Sequence, residues 1–190
     1  MIGLDGVLGR NGVSCFYMAR KPKAPQGWAA RPAIIVDTRE QTPLDFRWTE
    51  AEVVVTGLPT GDYSLVGYES LIAVERKSLS DLYGCIGRER ERFERELVRL
   101  EEIARKPNGY ACVVVEATMA QVAAGLDISL VSGKAAIGSC LTWSLRHGVP
   151  FHFCGDSRHA ASATAKILEK WFDERIKPGL EVSDILPEAD

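Results

Sequence analysis

Gly61-Asp62-Tyr63-Ser64-Leu65-Val66-Gly67-Tyr68-Glu69-Ser70-Leu71-Ile72-Ala73-Val74-Glu75-Arg76-Lys77 is the stretch from which the rest of the chain can be read. Two β-rich runs, Asp62 to Val66 and Ser70 to Glu75, flank Gly67-Tyr68-Glu69, the pattern of an antiparallel hairpin. The point between Tyr68 and Glu69 is equidistant from Asp62 and Glu75. A turn centred there sets the two carboxylates opposite each other on one face. Strand alternation then places Lys77 on that same face and Arg76 on the other. Two carboxylates and an ammonium therefore gather at one end of the hairpin.

Asp37 and Glu116 stand at the ends of two further predicted strands, so four acids are directed toward strand ends. Such a concentration is costly unless something positive balances it. Carboxylate oxygens are the ligands Mg²⁺ prefers, and Mg²⁺ leaves positions open for water and phosphate. Lys77 could orient or help deprotonate a water at such a site, or stabilise charge on a phosphate. The spacing by itself leaves two readings open, a metal site for phosphodiester hydrolysis and a surface salt-bridge cluster of little energetic weight.

Outward from the hairpin, Ala33 to Val36 reads as a buried strand closed by Asp37-Thr38-Arg39-Glu40, and Glu52 to Thr56 as another. Downstream, Ser80 or Asp81 can cap a short helix, and a long one follows from Gly87 to Lys106. On it Phe93, Leu97, Leu100, Ile103 and Ala104 form a core stripe. Arginines 88, 92, 95 and 99 form a second stripe among glutamates, read mainly as a solvated face of Glu–Arg pairs. Tyr110 to Val115 and Val149 to Phe153 read as strands. Met119 to Ala124, Gly133 to Arg146 and Ser157 to Ile176 read as helices. Alternating strands and helices give an α/β domain with a mixed sheet.

The 190 residues suffice for one domain, and 46% hydrophobic with 26% charged residues is globular composition. A net charge of −3 excludes nucleic-acid binding by bulk positive charge, though not by a local basic patch. No apolar run approaches a membrane span and no secretion signal is visible, so the expectation is a soluble, intracellular protein. The five cysteines form no Cys-x-x-Cys pair and read as reduced, packed thiols. The histidine spacing makes a poor zinc site. Trp28, Trp48, Trp143 and Trp171 read as core or interface. Residues 1–30, rich in glycine and locally basic, read as an irregular leader, 31–177 as the domain and 178–190 as a short tail.

Gly61-Asp62 with Glu75-Arg76-Lys77-Ser78-Leu79-Ser80-Asp81 resembles the Gly-Asp…Glu-Arg-Lys-x-x-x-Asp signature of the XPF-type structure-specific endonucleases. Val36-Asp37-Thr38-Arg39-Glu40 is similar to that family's Val-Asp-x-Arg-Glu strand end. The resemblance covers about residues 33 to 176 and implies a restriction-endonuclease-like α/β fold, a central mixed β-sheet flanked by helices. It implies Asp62 and Glu75 as metal ligands, with the backbone carbonyl of Arg76 as a further one and Lys77 as the nuclease lysine. Asp37, in the metal set, and Glu40 border the same site. Arg39 and Arg76 belong to the cleft, and with Arg88 and Arg92 they are the expected DNA contacts. Asp81 is expected to brace arginines or cap a helix, and Glu116 has no motif assignment. The implied cofactor is Mg²⁺, with Mn²⁺ able to substitute.

The expected activity is a metal-dependent DNA endonuclease acting on branched, forked or flapped DNA. Alternatives are a non-catalytic DNA-binding or dimerisation partner, and a resolvase or restriction-type nuclease of the same superfamily. Relatives of this type carry a tandem helix-hairpin-helix module after the nuclease domain, for which the tail is too short. A homodimer, or a protein partner supplying extra DNA contacts, is therefore expected. Expected locations are the cytoplasm or nucleoid of a prokaryote or virus, or the nucleus of a eukaryote.

Overall fold

Short apolar runs become strands and longer periodic ones become helices in the computed structural model, which describes residues 31–176. The expected leader and tail, with Trp28 and Cys15, lie outside the described residues. The strands are β1 (Ile34–Asp37), β2 (Val53–Thr56), β3 (Tyr63–Leu65), β4 (Ile72–Lys77), β5 (Tyr110–Val115) and β6 (Phe151–Phe153). The helices are α1 (Leu79–Ile86), α2 (Arg90–Ala104), α3 (Met119–Ala124), α4 (Gly133–His147) and α5 (Ser157–Arg175).

The sheet has six strands in the order β2-β1-β3-β4-β5-β6. β1 runs parallel to β2 and antiparallel to β3, which is antiparallel to β4; β4, β5 and β6 are mutually parallel. β5 lies between β4 and β6, and from Ala111 to Val115 it is wholly buried, as a parallel strand covered on both faces must be. This is the mixed α/β sheet that the alternating pattern predicts.

Helices cover both faces. On one, α1, α2 and α4 pack over Ala73, Val113 and Val115, and the stripe Phe93, Leu97, Leu100 and Ile103 is buried there. Phe93 meets Trp143 of α4 edge to face at 5.2 Å between centroids, a contact that adds to the burial of both rings. On the other face α5 lays Ala161, Leu168 and Trp171 against Val74, Cys112 and Val114. Of the two roles expected for Trp48, core or interface, the core one is excluded. It is 51% exposed, on the segment between β1 and β2. Among the described cysteines, Cys85, Cys112 and Cys140 are buried free thiols.

The cap of α1 is Ser78 rather than Ser80 or Asp81. β4 continues through Lys77 because its parallel pairing with β5 reaches Val115. Ser78 is then the one residue in extended conformation before the helix, and its hydroxyl accepts from the Asp81 N–H at 3.1 Å. Among the described residues no helix is long and apolar enough to cross a membrane.

Candidate functional site

The strand directions decide where the acids meet. β1, β4 and β5 run one way and β3 the other, so three carboxyl ends and one amino end share a single sheet edge. Asp37 ends β1, Asp62 precedes β3, Glu75-Arg76-Lys77 ends β4, and Glu116 follows β5. Tyr63 pairs with Val74, which sets Asp62 opposite Glu75 as the turn midpoint predicts. Gly61 makes the approach: its φ is +78°, and a Cβ there would lie 3.1 Å from that of Ala73. Asp62 donates its N–H to the Val74 carbonyl at 2.9 Å, and its Oδ2 accepts the Arg76 N–H at 2.8 Å.

Glu75 is buried and Asp62 and Lys77 are half-buried beside it, which argues against a surface salt-bridge cluster. Glu75 is 2% exposed, and one of its oxygens accepts from the Lys77 ammonium. Its other oxygen, Oε2, is buried with no hydrogen-bond partner. Such an orphan is expensive unless something else engages it. Burial pushes the Glu75 carboxyl well above the carboxylate range, against the pull of Lys77 and helped by the Asp62 charge. Burial likewise raises Asp62 to about 6, outweighing the Arg76 N–H and Lys77. Burial would lower the Lys77 pKa, but Glu75 and Glu96 outweigh it and the ammonium is held charged. Lys77 also lies 5.1 Å from the centroid of the Phe93 ring.

The neighbouring carboxylate corner is built differently. Asp37 accepts four hydrogen bonds: from the Arg39 backbone N–H at 2.8 Å, its guanidinium at 2.7 and 3.1 Å, and the Leu58 N–H at 2.5 Å. Burial would raise its pKa, but these donors outweigh it and hold the carboxyl low. Arg39 is fixed further by donating to the Leu58 carbonyl at 2.7 Å. Asp37 is thus expected as a ligand but found with its carboxylate fully engaged as an anchor for Arg39.

Arg76, on the opposite side of β4 from Lys77, grips Glu116 through two hydrogen bonds of 2.8 and 3.0 Å and reaches Glu40 at 3.4 Å. This gives Glu116 an assignment that its sequence position lacks: with Arg76 it ties the ends of β4 and β5 together.

These groups border a cleft of about 490 Å³, lined by Arg39, Glu40, Asp62, Glu75, Arg76 and Lys77 and by Asp81. Arg92, Glu96 and Arg99 of α2 close it from the other side. Arg88 is exposed on the turn before α2 and does not line the cleft. Arg92 is exposed and pairs with Glu89 at 2.9 Å. Sequence reasoning missed Glu96 and Arg99 as site residues. The available signal was the core stripe itself: 92, 96 and 99 run beside 93, 97 and 100, one residue out of phase. Asp81 accepts from the Ser78 hydroxyl at 2.6 Å, bracing the start of α1.

The family model described as the ERCC4 domain matches residues 36–167. The chain belongs to the ERCC4 domain family. This ERCC4 domain is similar in fold to XPF from Aeropyrum pernix in complex with DNA, with a TM-score of 0.60 and 21% identity over 80% of this chain and 78% of that one. The structure of XPF from Aeropyrum pernix gives a TM-score of 0.60 at 20% identity, over 81% and 78% of the two chains. The ERCC4 domain therefore has the restriction-endonuclease-like α/β fold that the resemblance implies. No curated protein matches the sequence significantly.

Proposed function

We propose that this ERCC4 domain is a divalent-metal-dependent endonuclease that hydrolyses DNA phosphodiester bonds, with branched, forked or flapped DNA as its substrate. The observation that carries the reading is Glu75: a buried carboxylate with one unpartnered oxygen, opposite Asp62 and beside a charged lysine, in a polar cleft. The match to a DNA complex of XPF supports DNA as the polymer.

The donor set fits a hard cation such as Mg²⁺, with Mn²⁺ as substitute: Asp62 and Glu75 offer carboxylate oxygens and Arg76 its backbone carbonyl. When bound, the ion supplies positive charge against the phosphate oxygens and acidifies water. Lys77, held charged, is suited to orient the attacking water and to balance charge on the phosphate rather than to act as the base. Arg39, anchored by Asp37, and Arg92 present guanidinium groups to the DNA backbone, where contacts position rather than specify. Arg76, with its side chain held by Glu116 and Glu40, keeps the strand ends in register.

A net charge of −3 and one cleft give a lone protomer few phosphate contacts. Leu141 and Leu145, 53% and 88% exposed on one face of α4, support a homodimer through that helix, with a protein partner as the other way of adding DNA contacts. The test is cleavage of labelled flap, fork, junction and linear DNAs with Mg²⁺ or Mn²⁺. Metal-dependent cutting of the branched forms is expected. Binding of all of them without cutting would instead favour the non-catalytic partner.

A further inference from the structure

Glu96 belongs to no motif, yet it is the second carboxylate of Lys77. Its Oε2 lies 3.6 Å from the Lys77 Nζ, and that ammonium also donates to Glu75. Glu96 lines the main cleft and also a recess of about 240 Å³ beside it, with Asp81, Cys85 and Glu89. It projects from α2, which is fixed to the sheet by the buried neighbours Phe93 and Leu97. Lys77 rests against Phe93 from below, so Glu75, Glu96 and an aromatic face surround its charge.

This arrangement answers a conflict inside the proposed site. Glu75 is asked to hold a lysine and to ligate a cation, and two positive groups drawing on one carboxylate oppose each other. A buried ammonium that lost its only partner would be left uncompensated. A second acceptor already within ion-pair reach removes that penalty, because shortening the contact by roughly 0.8 Å gives an ordinary charge-assisted hydrogen bond.

We propose that Glu96 is a positioning residue that takes up the Lys77 ammonium when Glu75 engages a divalent cation, so that the lysine stays charged and aimed into the cleft. The inference rests on the metal-dependent nuclease reading above, and it predicts coupling between Glu96 and metal affinity that runs through Lys77.

The experiment measures Mn²⁺ binding to the full chain without DNA, by loss of the free Mn²⁺ electron paramagnetic resonance signal. Glu96→Gln, nearly isosteric and on a partly exposed helix face, is expected to weaken binding about five- to tenfold. Lys77→Met removes the competing cation and is expected to tighten it. In the Lys77→Met background the Glu96→Gln effect is expected to shrink to about twofold or less, the signature of a pair acting as one unit. Unchanged Mn²⁺ affinity in Glu96→Gln would overturn the proposal. Equal weakening with and without Lys77 would also overturn it, since Glu96 would then be a direct ligand. Mn²⁺ binding by the wild-type chain with no DNA cleavage would defeat the nuclease reading and leave the coupling to be read. Absence of Mn²⁺ binding would defeat both.

Discussion

Two carboxylate corners stand side by side on one sheet edge, and they are opposites. Asp37 is saturated: four N–H donors surround it, and its pKa is held low. Asp62 and Glu75 are undersupplied, with pKa values raised by burial and one Glu75 oxygen without a partner. Carboxylates at neighbouring strand ends therefore stand in opposite surroundings. A satisfied buried carboxylate contributes to the fold, whereas an unsatisfied one costs stability and holds binding capacity in reserve. The difference teaches that acidity near a strand end does not by itself fix a carboxylate's surroundings; the number of donors its neighbours supply does.

The largest stability effect should come from the saturated corner. Asp37→Asn replaces an acceptor-only group with one carrying an N–H₂, against donors on every side. It should cost about 2–4 kcal/mol in chemical denaturation. A neutral result would erase the contrast. Asp62→Asn should do the reverse and stabilise the metal-free protein at pH 7–8 by about 1–2 kcal/mol, because it removes a carboxylate that burial disfavours.

The two corners should also differ in pH dependence. The folded pKa of Asp62 is about 6, above an unfolded value of about 3.9. The folded state therefore binds more protons between these limits, and stability falls as pH rises through that window, by up to about 2–3 kcal/mol. Asp37 has a lowered folded pKa. Its contribution is present above about pH 4 and is lost as pH falls below that. Melting curves of wild type, Asp62→Asn and Asp37→Asn from pH 4 to 8 should show the acid-favouring slope weakened only in Asp62→Asn.

Added metal should act on the undersupplied corner as well. Mg²⁺ at a hundredfold excess over its dissociation constant should stabilise the wild type by about 2.7 kcal/mol or less, and Asp62→Asn should blunt the response. An equal shift in both proteins would place the ion elsewhere. The smallest effect belongs to Arg92, whose side chain is 76% exposed. Arg92→Ala should leave the melting temperature unchanged but lower the salt slope of DNA binding by about one.

Much of this architecture was legible in the sequence, for reasons that can be named. The Asp62–Glu75 pairing followed from the turn midpoint because a short hairpin leaves little choice of register. The Phe93-Leu97-Leu100-Ile103 stripe was legible because burial on a helix repeats with its period. The saturation of Asp37 was not, because the Leu58 N–H that completes it arrives from a segment 21 residues later. Glu96 was invisible as a site residue because its place depends on how α2 docks over β4, which no local pattern encodes. Trp48, read as core or interface, lies outside the core for a simpler reason: its indole N–H donates to the Asp45 carbonyl at the surface, so burial is not needed to satisfy it.

The central claim is that the undersupplied corner is where DNA is cut, and Glu75→Gln tests it most directly. The substitution keeps the size of the side chain while removing its charge. Mg²⁺-dependent cleavage of forked or flapped DNA should fall by at least roughly 10²–10³-fold. Affinity for the same DNA in the absence of metal should stay within a few-fold, because backbone contacts elsewhere carry it. Wild-type turnover in purified Glu75→Gln protein would contradict the account.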